Sequence, residues 1–360
     1  MHIGLVIYGN LETLTGGYLY DRKLVEYLRQ DGDRVDVISI PPRHYAQHLT
    51  DNFSSDLFRR LGKLSIDILL QDELCHPSLV WLNSRLHHHV RYRFFSIVHH
   101  LRCYEKHPAW QNLFYRWLER QYLASVDGFV LNSQTTRQAV AAVLHRGDLR
   151  NFVVAYPAGD RFAPTITDDE IIARANRPGA LQVLFVGNLI PRKGLHVLID
   201  ALARLRPETW QLPVVGSPHF DAKYARAIYR SVADRHLTQV HFVGALDDGA
   251  LEEIFAQSQL LVVPSDYEGF GIVYLEGMSF GLPAIASTTG AAHEIIDDGE
   301  NGFLVLPNDA AALANRIEML QRDRARLAML GLDARRRFVS HPGWNESMAR
   351  IRAELASLLS

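Results

Sequence analysis

Short apolar runs alternate with amphipathic segments along most of the chain. The runs have the length and composition of strands buried in a parallel sheet, and the segments between them carry apolar residues at helical spacing. Strands are predicted at 2–8, 34–40, 66–70, 79–82, 94–98, 125–131 and 151–156, and again at 181–186, 211–215, 240–243 and 260–263. Helices are predicted at 18–29, 53–62, 109–123 and 134–144, and again at 194–206, 221–235, 248–257, 272–280 and 344–358.

The segment between the two series of strands has a different composition. Residues 157–180 are enriched in Pro, Gly, Asp and Arg, which is typical of a linker. Two βα series separated by a linker predict an α/β protein with two Rossmann-like domains that face a central cleft. We place the first domain at 1–160, the linker at 161–180, the second domain at 181–340 and a terminal helix at 341–360.

Composition and charge narrow the class of protein. Of the 360 residues, 48% are hydrophobic and 22% are charged, which is typical of a globular chain. The net charge of −2 does not indicate a protein that binds nucleic acid through a broadly basic surface. The two cysteines, Cys75 and Cys103, indicate a reducing compartment rather than a disulfide framework. The first residues look like a strand rather than a signal peptide, and no apolar run approaches the roughly 18 residues of a membrane span, so a cytoplasmic location is expected.

The stretch 264–283 is the most informative part of the sequence. It follows a short apolar strand, contains a glycine-rich loop, and leads into a helix that ends near Gly281. Free backbone N–H groups and the helix dipole make such a helix N-terminus a site for anions. Gly269 and Gly271 would let a ligand approach the backbone closely.

Two glutamates flank this turn. Glu268 and Glu276 are eight positions apart, which leaves them roughly 80° out of phase on a helix, so they suit different parts of one ligand. Ionised carboxylates only accept hydrogen bonds, and vicinal hydroxyls are natural partners for them. A ligand with hydroxyls at both ends and phosphates between them is a nucleotide sugar.

A second group of polar residues follows the strand at 181–186. Arg192 and Lys193 stand between this strand and the next helix, where they can neutralise a diphosphate. If the bond between sugar and phosphate breaks, a cation already in place stabilises the charge that develops on the departing oxygen.

The frame EGFGIVYLEGMSFGLPAIAS closely resembles the donor-site signature of the retaining glycosyltransferases of family four, also called glycosyl transferases group 1, which have the GT-B fold. In that family the first glutamate contacts the donor sugar, the second contacts the nucleotide ribose, and the amides of the turn contact the sugar and the diphosphate. The resemblance implies donor contacts from Glu268, Gly269, Phe270, Gly271, Ile272, Val273 and Glu276. It also implies that the terminal helix crosses back to the first domain.

The segment GNLIPRKG resembles the motif G-R-x-x-x-x-K-G of the same family. Lys193 matches the lysine that binds the diphosphate, whereas Asn188 stands where the family has an arginine. This difference leaves three interpretations open. Arg192 substitutes for the missing arginine, the leaving group is less well stabilised, or the donor binds in a different position.

Candidates in the first half are Gly16, Gly17 and His99. The two glycines precede a helix and lack the G-x-G-x-x-G dinucleotide fingerprint, and a plain tight turn is the alternative. The resemblance implies that this glycine loop faces the donor phosphates and that His99 contacts the donor sugar. A histidine there could also move a proton near pH 7, or it could simply be hydrogen-bonded at the end of a strand.

Residues 85–122 are rich in arginine, histidine and aromatic side chains. The helix predicted at 109–123 could lie on an anionic membrane, at the inner membrane face, or grip an anionic acceptor. The alternative is an amphipathic helix that packs on the sheet with solvated arginines. The three histidines at 87–89 would point apart on a helix or a strand, so no metal site is predicted.

We therefore expect a metal-independent retaining hexosyltransferase, without a cofactor, in which His99, Lys193 and Glu268 are catalytic. The second domain would hold the donor, and the acceptor would be a sugar, a lipid or a small aglycone. A nucleotide-sugar epimerase or a phosphorylase-type enzyme is one alternative. A non-catalytic nucleotide-sugar-binding protein is the other, and Asn188 is the feature that favours it.

Overall fold

The computed structural model describes residues 1–13, 15–162 and 164–359. The chain divides into two compact units, of which the first is Met1–Pro157 with Pro342–Ser360 and the second is Ala158–His341. Each unit is built on a six-stranded sheet in which the paired strands are parallel. The α/β class with two Rossmann-like domains is confirmed.

The first sheet has the strand order β2-β1-β3-β4-β5-β6. Its strands are β1 His2–Tyr8, β2 Arg34–Ile40, β3 Ile68–Asp72, β4 Arg93–Val98, β5 Gly128–Leu131 and β6 Phe152–Val154. Ile3, Leu5 and Ile7 of β1 are completely buried, as expected for a strand covered on both faces. The strand order reverses between β1 and β3, and the loops that follow these two strands lie at the position where open α/β sheets bind ligands.

Among the described residues, the α-helices of the first unit that precede the junction to the second unit are α1 Gly16–Gln30, α2 Tyr45–His48, α3 Ser55–Gly62, α4 His76–Leu79, α5 Leu82–Leu86, α6 Ala109–Leu123 and α7 Gln134–Leu144. The predicted strand at 79–82 is wrong, because this apolar run lies at the end of α4 and the start of α5. Leu79, Val80 and Leu82 are buried all the same. A short buried run has the same composition in a helix as in a strand, so periodicity could not separate the two.

The second sheet has the order β12-β11-β10-β7-β8-β9. Its strands are β7 Leu181–Val186, β8 Trp210–Val215, β9 Val240–Gly244, β10 Leu260–Val263, β11 Ala284–Ser287 and β12 Gly302–Val305. The chain runs outward from β7 to β9 and then returns to the other side of β7. The reversal of strand order therefore lies between β7 and β10.

The helices of the second unit are α8 Asp168–Ala175, α9 Leu195–Leu202, α10 Ala222–Asp234, α11 Asp248–Gln257, α12 Ile272–Ser279, α13 Ala310–Arg322 and α14 Arg324–Val339. The predicted linker at 161–180 is wrong, because it contains α8 and is part of the second unit. Thr167 and Glu170 form a capping box, and Ile171 and Ala175 of this helix are buried. Most of the polar residues of this helix are exposed, so its composition resembles that of a linker although the helix is well capped.

No helix within the described ranges is long and apolar enough to cross a membrane.

The last helix, α15 Trp344–Ser357, belongs to the first unit. Its Arg352 Nε lies 2.7 Å from a carboxylate oxygen of Asp33 and also 2.7 Å from one of Asp31. Gly32 between the two acids has φ +86°, so Asp31–Asp33 form a tight turn before β2. Burial would raise the pKa of Asp33, but its hydrogen bond to Arg352 contributes to a net lowering.

Replacing Arg352 by Met should lower the free energy of unfolding of the first unit, because the carboxylate of Asp33 loses one of its cationic partners. A group whose folded pKa is lowered stabilises the protein above its unfolded pKa, and this contribution disappears in acid. The difference in free energy of unfolding between the wild type and the variant should therefore be largest above about pH 4 and should shrink as the pH falls further. Urea unfolding at several pH values measures it.

Arg350→Met is the matched control, since Arg350 is exposed on the same helix. Equal unfolding midpoints for the wild type and Arg352→Met would show that the ion pair does not hold α15 in place.

Candidate active site

Two loops of the second unit follow β7 and β10, where the strand order reverses. Gly194 in the first loop has φ +70°, and a Cβ atom there would lie 2.0 Å from the carbonyl oxygen of Pro264 in the second loop. Nearby, the backbone N–H of Asp266 donates to the carbonyl oxygen of Arg192 at 2.8 Å. The loops are therefore in direct backbone contact, and only glycine fits at position 194.

A buried ion pair joins the side chains of the two loops. Lys193 Nζ lies 2.6 Å from Glu268 Oε2, and Ser265 Oγ donates to the same oxygen at 3.1 Å. Arg192 lies 3.8 Å from the other carboxylate oxygen and donates to the carbonyl oxygen of Tyr267 at 2.8 Å. Burial would raise the pKa of Glu268, but Lys193 and Arg192 outweigh it and lower the pKa to about 2. Glu268 is therefore ionised near neutral pH and fixes two cations beside the helix that follows.

That helix, α12, begins after Gly271, whose φ is +101°. Within the described part of the chain, no side chain caps its first turn, so the dipole and the leading N–H groups of Ile272 and Val273 suit an anion. A Cβ atom on Gly271 would lie 2.4 Å from the ring of Tyr274, whose hydroxyl donates to the carbonyl oxygen of Val263. The turn thus requires glycine at 271 for two reasons, the positive φ and the adjacent ring.

A third loop, after β11, fixes the other side of this turn. Gly290 has φ +74°, and a Cβ atom there would lie 2.0 Å from the carbonyl oxygen of Glu268. The N–H of Ala291 donates to that same oxygen at 2.9 Å. Phe270 is buried, with its ring 5.8 Å from that of His341, so only the backbone of this residue suits a ligand contact.

Glu276 lies on α12 in a different environment. It is buried, and its Oε1 lies 3.7 Å from a guanidinium nitrogen of Arg161. Arg161 also binds Asp248, with 3.2 Å between Nε and Oδ2. Burial raises the pKa of Glu276 to about 7, although Arg161 opposes the shift. The two glutamates of the motif therefore differ in ionisation: Glu268 is charged near neutral pH, whereas the pKa of Glu276 lies close to neutral pH.

Arg161 is a site residue that the sequence did not reveal. It lies in the stretch assigned to the linker, where an arginine among Pro, Gly and Asp carries no positional signal. The structure instead connects it to α12 through Glu276 and to the start of α11 through Asp248.

Asn188 has a structural partner in the second unit. Its Oδ1 accepts a hydrogen bond from the backbone N–H of Ser217, in the loop after β8, at 3.3 Å. Gly216 in that loop has φ +150°, and a Cβ atom there would lie 2.0 Å from the carbonyl oxygen of Gly187. Asn188 therefore ties two loops together, and the guanidinium beside Glu268 is that of Arg192.

The remaining predicted residues belong to the first unit. Helix α1 begins at Gly16, and a Cβ atom on Gly17 would lie 3.1 Å from His99 Cδ2. His99 follows β4, and its Nε2 lies 3.2 Å from Oδ1 of the buried Asp21. Burial alone would lower the pKa of His99, but Asp21 and Asp72 reverse the effect and raise it. Asp21 was not predicted, because a single acid on the buried side of a helix gives no pattern.

In the part of the first unit that the structure describes, two groups of side chains could hold a metal ion by geometry. Within each group, one ligand atom from each residue lies within 4.8 Å of the others; the groups are Asp21, Asp72 and His99, and Glu73, His76 and Glu119. Their members also have protein partners, as in the 2.7 Å contact between His76 Nε2 and the hydroxyl of Tyr45. The absence of a required metal stays a prediction.

Comparisons with known proteins agree with the motif. Residues 167–337 match the family described as Glycosyl transferases group 1. A D-inositol 3-phosphate glycosyltransferase of Stackebrandtia nassauensis is 32% identical over 235 residues, which are 61% of this chain and 52% of that protein. The chain spans about half the length of the curated relatives that it matches.

Solved structures share the fold over almost the whole chain. Sucrose-phosphate synthase from Thermosynechococcus elongatus has a TM-score of 0.82 and 24% identity, and the match covers 99% of this chain and 98% of that one. Anabaena Alr3699/HepE in complex with UDP-glucose has a TM-score of 0.77 and 20% identity, and the match covers 99% of this chain and 100% of that one.

These likenesses confirm the GT-B fold class that the sequence predicted. The match to the family, at residues 167–337, lies within the second unit, which contains Lys193, Glu268 and Glu276. Through this unit the chain is similar to the family of Glycosyl transferases group 1.

Proposed function

We propose that this protein is a retaining glycosyltransferase that moves a hexose from a nucleoside diphosphate sugar to an acceptor hydroxyl without a divalent metal. The observation that carries the proposal is the Lys193–Glu268 ion pair beside the uncapped N-terminus of α12. At this position, fixed cations and a carboxylate that is ionised near neutral pH lie beside the leading N–H groups of α12. The solved relative with UDP-glucose bound supports a nucleotide sugar as the donor class.

The diphosphate is assigned to Lys193, Arg192 and the leading amides of α12. The cations are held by Glu268 before any ligand arrives, so little reorganisation is needed when charge develops on the leaving oxygen. Asn188 is used to hold the adjacent loop, which favours Arg192 as the substitute for the arginine of the family motif.

The two carboxylates are assigned to hydroxyl groups at opposite ends of the donor. Glu268 would accept a hydrogen bond from the hexose, and Glu276 from the ribose. Glu268 is held by Lys193 and Ser265, which favours a binding role over nucleophilic attack. We therefore propose departure and attack on the same face of the sugar, assisted by the donor phosphate, as the resemblance to the family implies.

Lys193→Ala and Glu276→Ala should each weaken donor binding by roughly 10–100-fold, the amount expected for a hydrogen bond to a charged group. The measurement is thermal shift and released nucleoside diphosphate with UDP-, GDP-, ADP- and TDP-sugars, all in EDTA. Lys223→Ala is the control, because Lys223 is exposed on α10. One donor that stabilises the wild type and the control but neither site variant would identify the base.

Binding that survives both site substitutions would contradict the assignment of the donor site, and a requirement for a divalent cation would contradict metal independence. Turnover of the sugar nucleotide to an isomer without an acceptor would favour an epimerase. Donor binding without any turnover across a panel of acceptors would favour a non-catalytic binding protein.

Donor affinity should rise about tenfold from about pH 6 to about pH 8, because Glu276 must be ionised to accept two hydroxyl hydrogen bonds and burial raises its pKa to about 7. Arg161→Met should move this rise to higher pH, since the guanidinium opposes the raised pKa. Glu276→Gln should bind weakly and without this pH dependence. A flat profile in the wild type, or an equal slope in Glu276→Gln, would be inconsistent with the role assigned to Glu276.

If His99, and not the donor phosphate, takes the proton of the acceptor hydroxyl, His99→Gln should retain donor binding and lose about 100-fold in transfer, because an amide can keep a hydrogen bond but cannot move a proton; unchanged transfer would leave that proton with the donor phosphate. All the donor contacts assigned above lie in the second unit, whereas His99 lies in the first. Calorimetric donor titration and single-turnover transfer separate the two effects. A parallel loss of binding and transfer would instead place His99 in donor binding.

A further inference from the structure

Helix α6 exposes large apolar side chains on one face of its first turns. Trp110, Leu113, Phe114 and Trp117 are 68%, 70%, 40% and 49% exposed. Their spacing of i, i+3, i+4 and i+7 places them in a single stripe, which we call the α6 face. Scattered exposed apolar residues are common, but a contiguous stripe of this size marks an interaction surface.

The side of these turns that faces the rest of the unit is polar. This reverses the usual arrangement of a surface helix, in which the apolar side faces inward and the polar side faces the solvent. Gln111, Asn112 and Tyr115 are half-buried, and the side-chain amide of Asn112 donates to the carbonyl oxygen of Glu105 at 3.1 Å. Packing into the unit comes from the last turns, where Leu118 and Tyr122 are fully buried. The α6 face is therefore not needed to complete the core.

The charges around the α6 face have one sign. Lys106, Arg116 and Arg120 are exposed. The only acid between residues 106 and 124 is Glu119, which is buried and accepts hydrogen bonds from backbone N–H groups at 102 and 103. A ligand that covers the face meets cations and apolar rings and no exposed carboxylate from this segment.

We propose that the α6 face docks the protein on an anionic lipid surface. Tryptophan and phenylalanine suit the boundary between headgroups and acyl chains, and cations beside them attract anionic headgroups. The helix would lie in the plane of the surface with its stripe buried and Arg116 and Arg120 at headgroup level. The proposal goes beyond glycosyl transfer and does not depend on it, although it would place the protein beside a lipid acceptor.

Co-sedimentation of the full chain with large vesicles tests the proposal. Vesicles of phosphatidylcholine with about one third phosphatidylglycerol should bind the wild type, and vesicles of phosphatidylcholine alone should bind it far less. Arg116→Gln with Arg120→Gln should weaken binding to the anionic vesicles roughly 30-fold, at about fivefold for each cation. Trp110→Ser with Trp117→Ser should weaken binding at least about tenfold by removing buried apolar area.

Phe220→Ser with Met329→Ser is the matched control, because these exposed apolar residues lie in the second unit, and it should bind like the wild type. Far-UV circular dichroism and thermal unfolding confirm that each variant folds. The proposal is overturned if the wild type binds neither vesicle, or if the double tryptophan variant binds as tightly as the wild type. A dimer in sedimentation velocity that dissociates in the tryptophan variant, without vesicle binding, would assign the face to a second copy of the chain.

Discussion

The ion pair between Lys193 and Glu268 is the interaction on which the candidate site depends. A carboxylate as buried as Glu268 would be costly without a cationic partner, and the partner comes from a loop that follows a different strand. Neither group is therefore stable in its position alone. Because the cation is fixed by this requirement before a ligand arrives, the second unit presents positive charge at the start of α12 without a conformational search.

Backbone contacts make that arrangement rigid. Glycines 194, 216 and 290 each approach a carbonyl oxygen of a neighbouring loop so closely that no side chain fits. The loops after β7, β8, β10 and β11 are thus locked to one another, and Glu268 and Glu276 occupy defined environments within them. One environment is dominated by cations and the other by burial, which is why two glutamates of one motif have pKa values of about 2 and about 7.

The fold class and the loop-and-helix frame around Glu268 could be predicted because they depend on local patterns. Strand β10, helix α6 and helix α7 agree with the predicted bounds, and Gly281 ends its helix with a positive φ as expected. What could not be predicted depends on contacts between distant residues. Arg161 is placed at the site only by its contacts with Glu276 and Asp248, and strands β11 and β12, with four residues each, are too short to give a period.

The order of the chain has a consequence for biosynthesis. The first unit is discontinuous: the chain leaves it after Pro157, completes the whole second unit, and returns at Pro342. During translation Asp33 emerges long before Arg352, its partner, because the whole second unit lies between them in the chain. The second unit can therefore reach its native state while the first still lacks α15, and the site where α15 packs stays open on the nascent chain until residues 344–357 have been made. Docking of α15 would then decide when the first unit becomes resistant to misfolding and to proteolysis.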